Sequence, residues 1–161
     1  ERLGVSRAAA YRHFEDKTAL LVAVAASGFR RLSERLQKIW AGAPESSLER
    51  VRLTGEEYVR FALENPAHYR LMYGREAMGR QNLPELRQAG NDLFEQLVEV
   101  IRAYQDTGVI RREAPRAQAY VAWSAVHGLA SLLIEGQIMS TVDTDALIRQ
   151  TTQTVLDGMH A

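Results

Sequence analysis

From Leu20 to Leu156 the apolar residues recur at every third or fourth position, and nowhere do they alternate with polar ones between turn residues as a strand requires. A chain with that period buries its apolar stripes only by packing helix on helix, so the expected class is all-α, with no sheet. Proline, glycine and capping residues divide the pattern. Asp16 can cap a long helix whose stripe is Leu21, Val24, Gly28, Leu32, Leu36 and Ile39 and which stops near Gly42 and Pro44. Leu48, Val51, Gly55, Tyr58 and Ala62 mark a second. Asn65-Pro66 then supplies an N-cap with proline at the first helical position, and Gly74 closes the short helix that follows. Pro84 opens another, and Gly108 suits the left-handed residue past its end.

Pro115 starts the most apolar stretch. From Tyr120 to Ile138, Val121, Trp123, Val126, Leu129, Leu132 and Leu133 cover most of the helix circumference, so several neighbours must cover it. With a last helix from about Asp143 to Met159 it forms a hairpin. Two readings fit this surplus of apolar surface: a second subunit completing a four-helix bundle through residues 115–160, or an ordinary core helix within one chain.

Other classes are constrained by what the chain lacks. No cysteine is present, which excludes disulfides and thiolate metal sites and makes a reducing cytoplasm the expected compartment. No apolar run is expected to approach the roughly 20 residues that a membrane span needs, and ERLGVSR lacks the order of a secretory signal. Enzyme chemistry would need a convergent set. His13, His68, His127 and His160 have no metal-ligand spacing, and neither a glycine-rich phosphate loop nor a G-x-S-x-G turn occurs, so no catalytic residue, metal or cofactor is expected. The net charge is zero but unevenly placed, with eight Lys/Arg against four Asp/Glu in residues 1–38 and the opposite excess beyond. The N-terminal lobe is the natural place for an anionic partner.

That lobe contains LGVSRAAAYRHFEDKTALL at residues 3–21. Gly4 permits a tight turn, Ser6 can cap the following helix, and Ala8, Ala9 and Ala10 are small, strong helix formers. This is the pattern of a helix-turn-helix, whose second helix enters the DNA major groove with its first residues toward base edges. Arg7 can fork onto guanine acceptors, Tyr11, Arg12 and His13 can reach the backbone, and Lys17 stands at an anion-favouring helix start. Phe14 fits a plug between lobes.

The ordered set Gly4-Val5-Ser6, Tyr11-Arg12-His13-Phe14, Lys17 and Leu20-Leu21 resembles the DNA-binding signature of the TetR family of bacterial transcription regulators. The resemblance implies a homodimer of all-helical subunits, each with a helix-turn-helix DNA-binding lobe joined to a larger ligand-binding and dimerisation domain. Here these would be residues 1–38, running into the connecting helix, and 39–161. It further implies that Arg7, Ala8 and Ala9 face bases, that Tyr11 meets backbone or a thymine methyl, and that Ser6, His13 and Lys17 hold phosphates. Asn65-Pro66, Tyr69-Arg70-Leu71-Met72 and Trp123-x-x-x-His127-Gly128 resemble a C-terminal subtype named for its Trp-His-Gly motif. Against the family pattern the chain begins inside the second helix, so the first helix is expected to be missing and Leu3, Ala10 and Phe14 to be partly uncovered. Ala9 and Ala10 also stand where a hydroxyl and a larger apolar residue are common, which shifts base readout toward Arg7.

The implied function is operator binding relieved by a small-molecule effector. Residues 17–41 as one helix would span about 38 Å, a lever joining the two ends. Candidate pocket residues are Phe61, Tyr69, Met72, Phe94, Trp123 and His127, each of which serves equally as plain core, and the expected effector is apolar or aromatic. His127 can hydrogen-bond a ligand or hold a helix pair together. A dimeric ligand-binding module that never touches DNA is the alternative.

Overall fold

The computed structural model describes residues 16–42, 48–73 and 84–161. Among these residues six helices follow in order: α1 Lys17–Gly42, α2 Glu49–Glu64, α3 Pro66–Tyr73, α4 Pro84–Asp106, α5 Pro115–Ile134 and α6 Thr144–Met159. The fold is all-α; among the described residues a lone antiparallel bridge between Ile110 and His160 stitches the chain's end to the α4–α5 loop.

The helix starts follow the capping chemistry. Asp16 Oδ1 accepts from the Ala19 amide at 2.7 Å, and Asp143 Oδ1 from the Ala146 amide at 3.0 Å. Pro115 sits in the first turn of α5. Asn65 acts differently from expectation. Its carbonyl accepts from the Tyr69 amide at 2.9 Å, as an N-cap residue's does where Pro66 opens α3, but its side-chain amide donates back to the Phe61 carbonyl at 2.9 Å and so closes α2. The α5 helix also ends four residues before Ile138. Gly136 turns left-handed at φ 66°, its amide donates to Leu133 O at 3.1 Å and Gln137 N donates to Leu132 O at 2.9 Å, which together satisfy the last carbonyls and stop the helix.

Buried Val22, Ala25, Phe29, Leu32 and Leu36 form the stripe of α1, which packs on α2, α3 and α4. At Gly28 the α3 helix comes unusually close, since a Cβ there would lie 2.6 Å from Met72 Sδ. The α5 helix packs against α2, α4 and α6. By length and composition it falls in the range of a membrane-crossing segment, which corrects the expectation that no run does so. Its Val121 and Leu132 remain 62% and 46% exposed, forming an outer apolar stripe.

The core divides in two. A larger cluster gathers Phe29, Leu32, Val59, Phe61, Met72 and Ile148, and a smaller one Val98, Ile101, Tyr104, Ile110, Leu156 and Met159. The α4–α5 connection is anchored below by buried Gln105, whose amide donates to Gln118 Oε1 at 2.8 Å and to the Glu113 carbonyl at 3.0 Å. Buried amides paired in this way fix the loop without leaving an orphan polar group.

Candidate functional site

Between the two clusters the helices leave a cavity of about 660 Å³, within the range of small-molecule pockets. All six helices contribute to its wall. From α1 come Phe29, Leu36 and Trp40, so the long helix borders the cavity directly. Gly55 on α2 allows a tight wall on one side: a Cβ there would stand 2.9 Å from Thr152 Cγ2 on α6.

One end carries a buried polar cluster. The Tyr69 hydroxyl lies 2.6 Å from His127 Nδ1 and the Tyr58 hydroxyl 3.0 Å from it, while Trp123 Nε1 donates to Tyr58 Oη at 3.1 Å. The two hydroxyls are 3.3 Å apart. A neutral imidazole protonated on Nε2 accepts at Nδ1, which matches this set of donors. Burial lowers the His127 pKa and so favours that neutral ring. Burial likewise pushes Tyr69 up to about 12 and raises Tyr58 well above its ordinary range. The cluster joins α2, α3 and α5, and its members satisfy one another.

The other side opens between α4 and α5. Arg87, Asn91 and Glu95 stand at four-residue spacing along one face of α4, opposite Arg116 and Tyr120 of α5. Arg116 pairs with Glu95 at 2.8 Å, which raises the guanidinium's pKa through that hydrogen bond, and its Cζ lies 5.7 Å from the Phe94 ring centroid. Phe94 and Tyr120 stack at 4.4 Å with planes 31° apart. This is an apolar chamber with a charged rim.

Of the pocket residues expected from sequence, Met72, Phe94 and Trp123 line the chamber. Tyr69 and His127 stand behind the wall, held by Tyr58. Phe61 does not reach the chamber: it is 1% exposed, within the larger cluster, and the Arg35 guanidinium lies 5.7 Å from its ring centroid. Sequence reasoning did not single out Phe29, Trp40, Tyr58 or Tyr73 for the site, since each reads as one more apolar position on a helical stripe. Lys17 is exposed at the start of α1. Ser6, Arg7, Ala8, Ala9, Tyr11, Arg12 and His13 lie outside the described residues.

Comparisons with known proteins agree with this architecture. Residues 51–155 match the family described as tetracyclin repressor-like, C-terminal domain. A protein of unknown function from Rhodococcus sp. RHA1 is similar over 99% of this chain and 81% of its own, with a TM-score of 0.84 and 29% identity. A TetR-family transcriptional regulator from Pectobacterium atrosepticum superposes with a TM-score of 0.73 at 27% identity, covering 99% of this chain and 80% of that one. The nucleoid occlusion factor SlmA of Vibrio vulnificus is 32% identical over 102 residues, which are 63% of this chain and 50% of that protein. The chain thus spans about half the length of the curated relatives it matches.

Proposed function

Because the chain belongs to the TetR family, with the C-terminal domain matched over residues 51–155, we propose that it is a ligand-responsive transcriptional regulator of the repressor kind. In this reading it acts as a cytoplasmic homodimer without enzymatic chemistry. Residues 1–38 make the DNA-binding lobe and 39–161 the regulatory and dimerisation domain, whose Trp123, His127 and Gly128 carry the Trp-His-Gly signature. Arg7, with Ala8 and Ala9, reads base edges, Tyr11, Arg12 and His13 reach the backbone, and Ser6 and Lys17 hold phosphates. An apolar or aromatic effector occupies the chamber between the core clusters.

The observation that carries the proposal is that α1 is continuous from Lys17, next to the DNA-reading segment, to Trp40 in the chamber wall. Its 26 residues span about 39 Å. A dimer presents its two reading helices one DNA turn apart, about 34 to 36 Å, so an effector that favours a different tilt of α1 lowers operator affinity by population shift. The exposed Val121–Leu132 stripe supports α5 and α6 as the subunit interface, in a four-helix bundle with the partner. The test is selection of duplexes from a random pool by a chain extended upstream with a family-type first helix, followed by gel shift beside the chain as given. Tyr11→Ala and Lys17→Ala should weaken binding to all duplexes, whereas Arg7→Ala mainly relaxes base preference. Failure of the extended chain to retain any duplex would refute the proposal and leave a ligand-binding module.

A further inference from the structure

The chamber's charge inventory says more about its occupant than its shape does. The inner polar groups already satisfy one another: Tyr58 has Trp123, Tyr69 and His127 around its hydroxyl, and Trp40 Nε1 donates to Thr54 Oγ1 at 2.9 Å. A ligand body lying there gains by apolar contact and gains little by carrying its own polar groups. Aromatic faces alone would also welcome a cation. The rim decides otherwise. Among the described lining residues the charged side chains are Arg87, Glu95 and Arg116, and Glu95 is already engaged by Arg116. Arg87 has no ion pair among the described residues, and it stands in the first turn of α4, where backbone N–H groups add to the positive potential. Among the described lining residues the rim therefore presents one positive charge without an ion-pair partner, Arg87, at the opening of an apolar chamber, with Glu85 the carboxylate in the same helical turn.

Resting on the reading of the chamber as the effector site, we propose that its occupant is a monoanionic amphiphile, with an apolar body against Phe29, Leu93 and Phe94 and a carboxylate-like head held by Arg87 between α4 and α5. The planar guanidinium suits two-pronged binding of such a head. A cationic amphiphile of the same body meets a like charge, and a neutral one leaves Arg87 in water.

Three probes with one chain and different heads separate the possibilities: dodecanoate and dodecyltrimethylammonium, each below its micelle-forming concentration, and dodecanol, below its solubility. The chain's two tryptophans, Trp40 and Trp123, both line the chamber, so intrinsic emission reads occupancy. The expected order is dodecanoate about tenfold tighter than dodecanol, the gain of one charge-assisted hydrogen-bonded pair, and the trimethylammonium weakest. Arg87→Gln should bring dodecanoate down to the level of dodecanol and leave dodecanol unchanged. Glu95→Gln, by releasing Arg116, should tighten dodecanoate further. Both positions are at the surface, so the variants keep the fold, checked by circular dichroism. Equal binding of the three probes, or an unchanged order in Arg87→Gln, overturns the anion assignment while leaving the chamber as an effector site. No emission change with any probe overturns both.

Discussion

Replacing Gly28 by alanine tests whether the long helix and the chamber are mechanically joined. The new Cβ would stand 2.6 Å from Met72 Sδ and 3.1 Å from its Cγ, closer than packed atoms tolerate. Met72 is 1% exposed and lines the chamber, so the open space into which its side chain can yield is the chamber itself. Two opposing quantities set the outcome. Alanine within a helix is favoured over glycine by about 1 kcal/mol, and overpacking costs about 1 to 3 kcal/mol. The net effect in the native background is between no change and a loss of about 2 kcal/mol. With Met72→Ala already in place the clash is gone, and Gly28→Ala should stabilise by about 1 kcal/mol. Met72→Ala alone costs about 2 to 3 kcal/mol, near the low end for buried methionine because it borders existing space. The double-mutant coupling is then about 1 to 3 kcal/mol. Urea unfolding of the four proteins at one protomer concentration measures it, and probe binding should weaken in Gly28→Ala because the displaced thioether fills the chamber. Additivity of the two substitutions to within about 0.5 kcal/mol would refute the contact.

Three further outcomes follow from the polar cluster and the outer stripe. Burial holds the His127 pKa below its ordinary 6.5, so the unfolded chain takes up a proton that the folded chain does not; stability is full above pH 6.5 and falls as pH drops beneath it. His127→Asn, which keeps an acceptor near the place of Nδ1, should flatten that part of the stability profile from pH 5 to 7 in urea titrations. Tyr58, Tyr69 and Tyr73 have raised pKa values, Tyr69 at about 12, so their contribution is full below pH 10 and lost as pH rises toward 12. Ultraviolet titration of the six tyrosines should show these three ionising late and together with unfolding. Aspartate at both Val121 and Leu132, exposed at 62% and 46%, should leave the helical content unchanged and yield monomers in sedimentation, if that face joins two subunits. If the native chain sediments as a dimer and the variant does so too, the proposed α5 interface is refuted.

The helices were legible because their signals are local: a three-and-four apolar period, Asp16, Asp143, Pro115 and Gly108 act within one turn of the residue concerned. Helix ends were less legible, for two different reasons. Asn65 lies between α2 and α3, and its side chain goes to the Phe61 carbonyl of the helix before it; α5 stops short of Ile138 because Gly136 turns left-handed and Gln137 N donates to the Leu132 carbonyl, which an apolar period running on to Ile138 does not reveal. The chamber was legible only in part. Met72, Phe94 and Trp123 were named for their residue type, and type does not distinguish a wall from a plug; Phe61 has the same chemistry and faces solid core. Tyr58 was missed as a site residue because its role comes from partners 11 and 69 positions away. Arg87 carries no local signal at all: a lone arginine in a first helical turn acquires meaning only when the facing helix has paired off the neighbouring charges.

The division of the core into two clusters has a consequence for the protein's life in the cell. A space left between them deprives each half of partner atoms on one side, and whatever settles there completes the interior that the chain's own side chains leave unfinished. Occupancy and folding are then a single linked equilibrium, in which a hundredfold excess of a compound over its Kd adds about 2.7 kcal/mol to the work of unfolding. The concentration of the compound would thereby govern how long each molecule survives proteolysis, in addition to what that molecule does while it lasts.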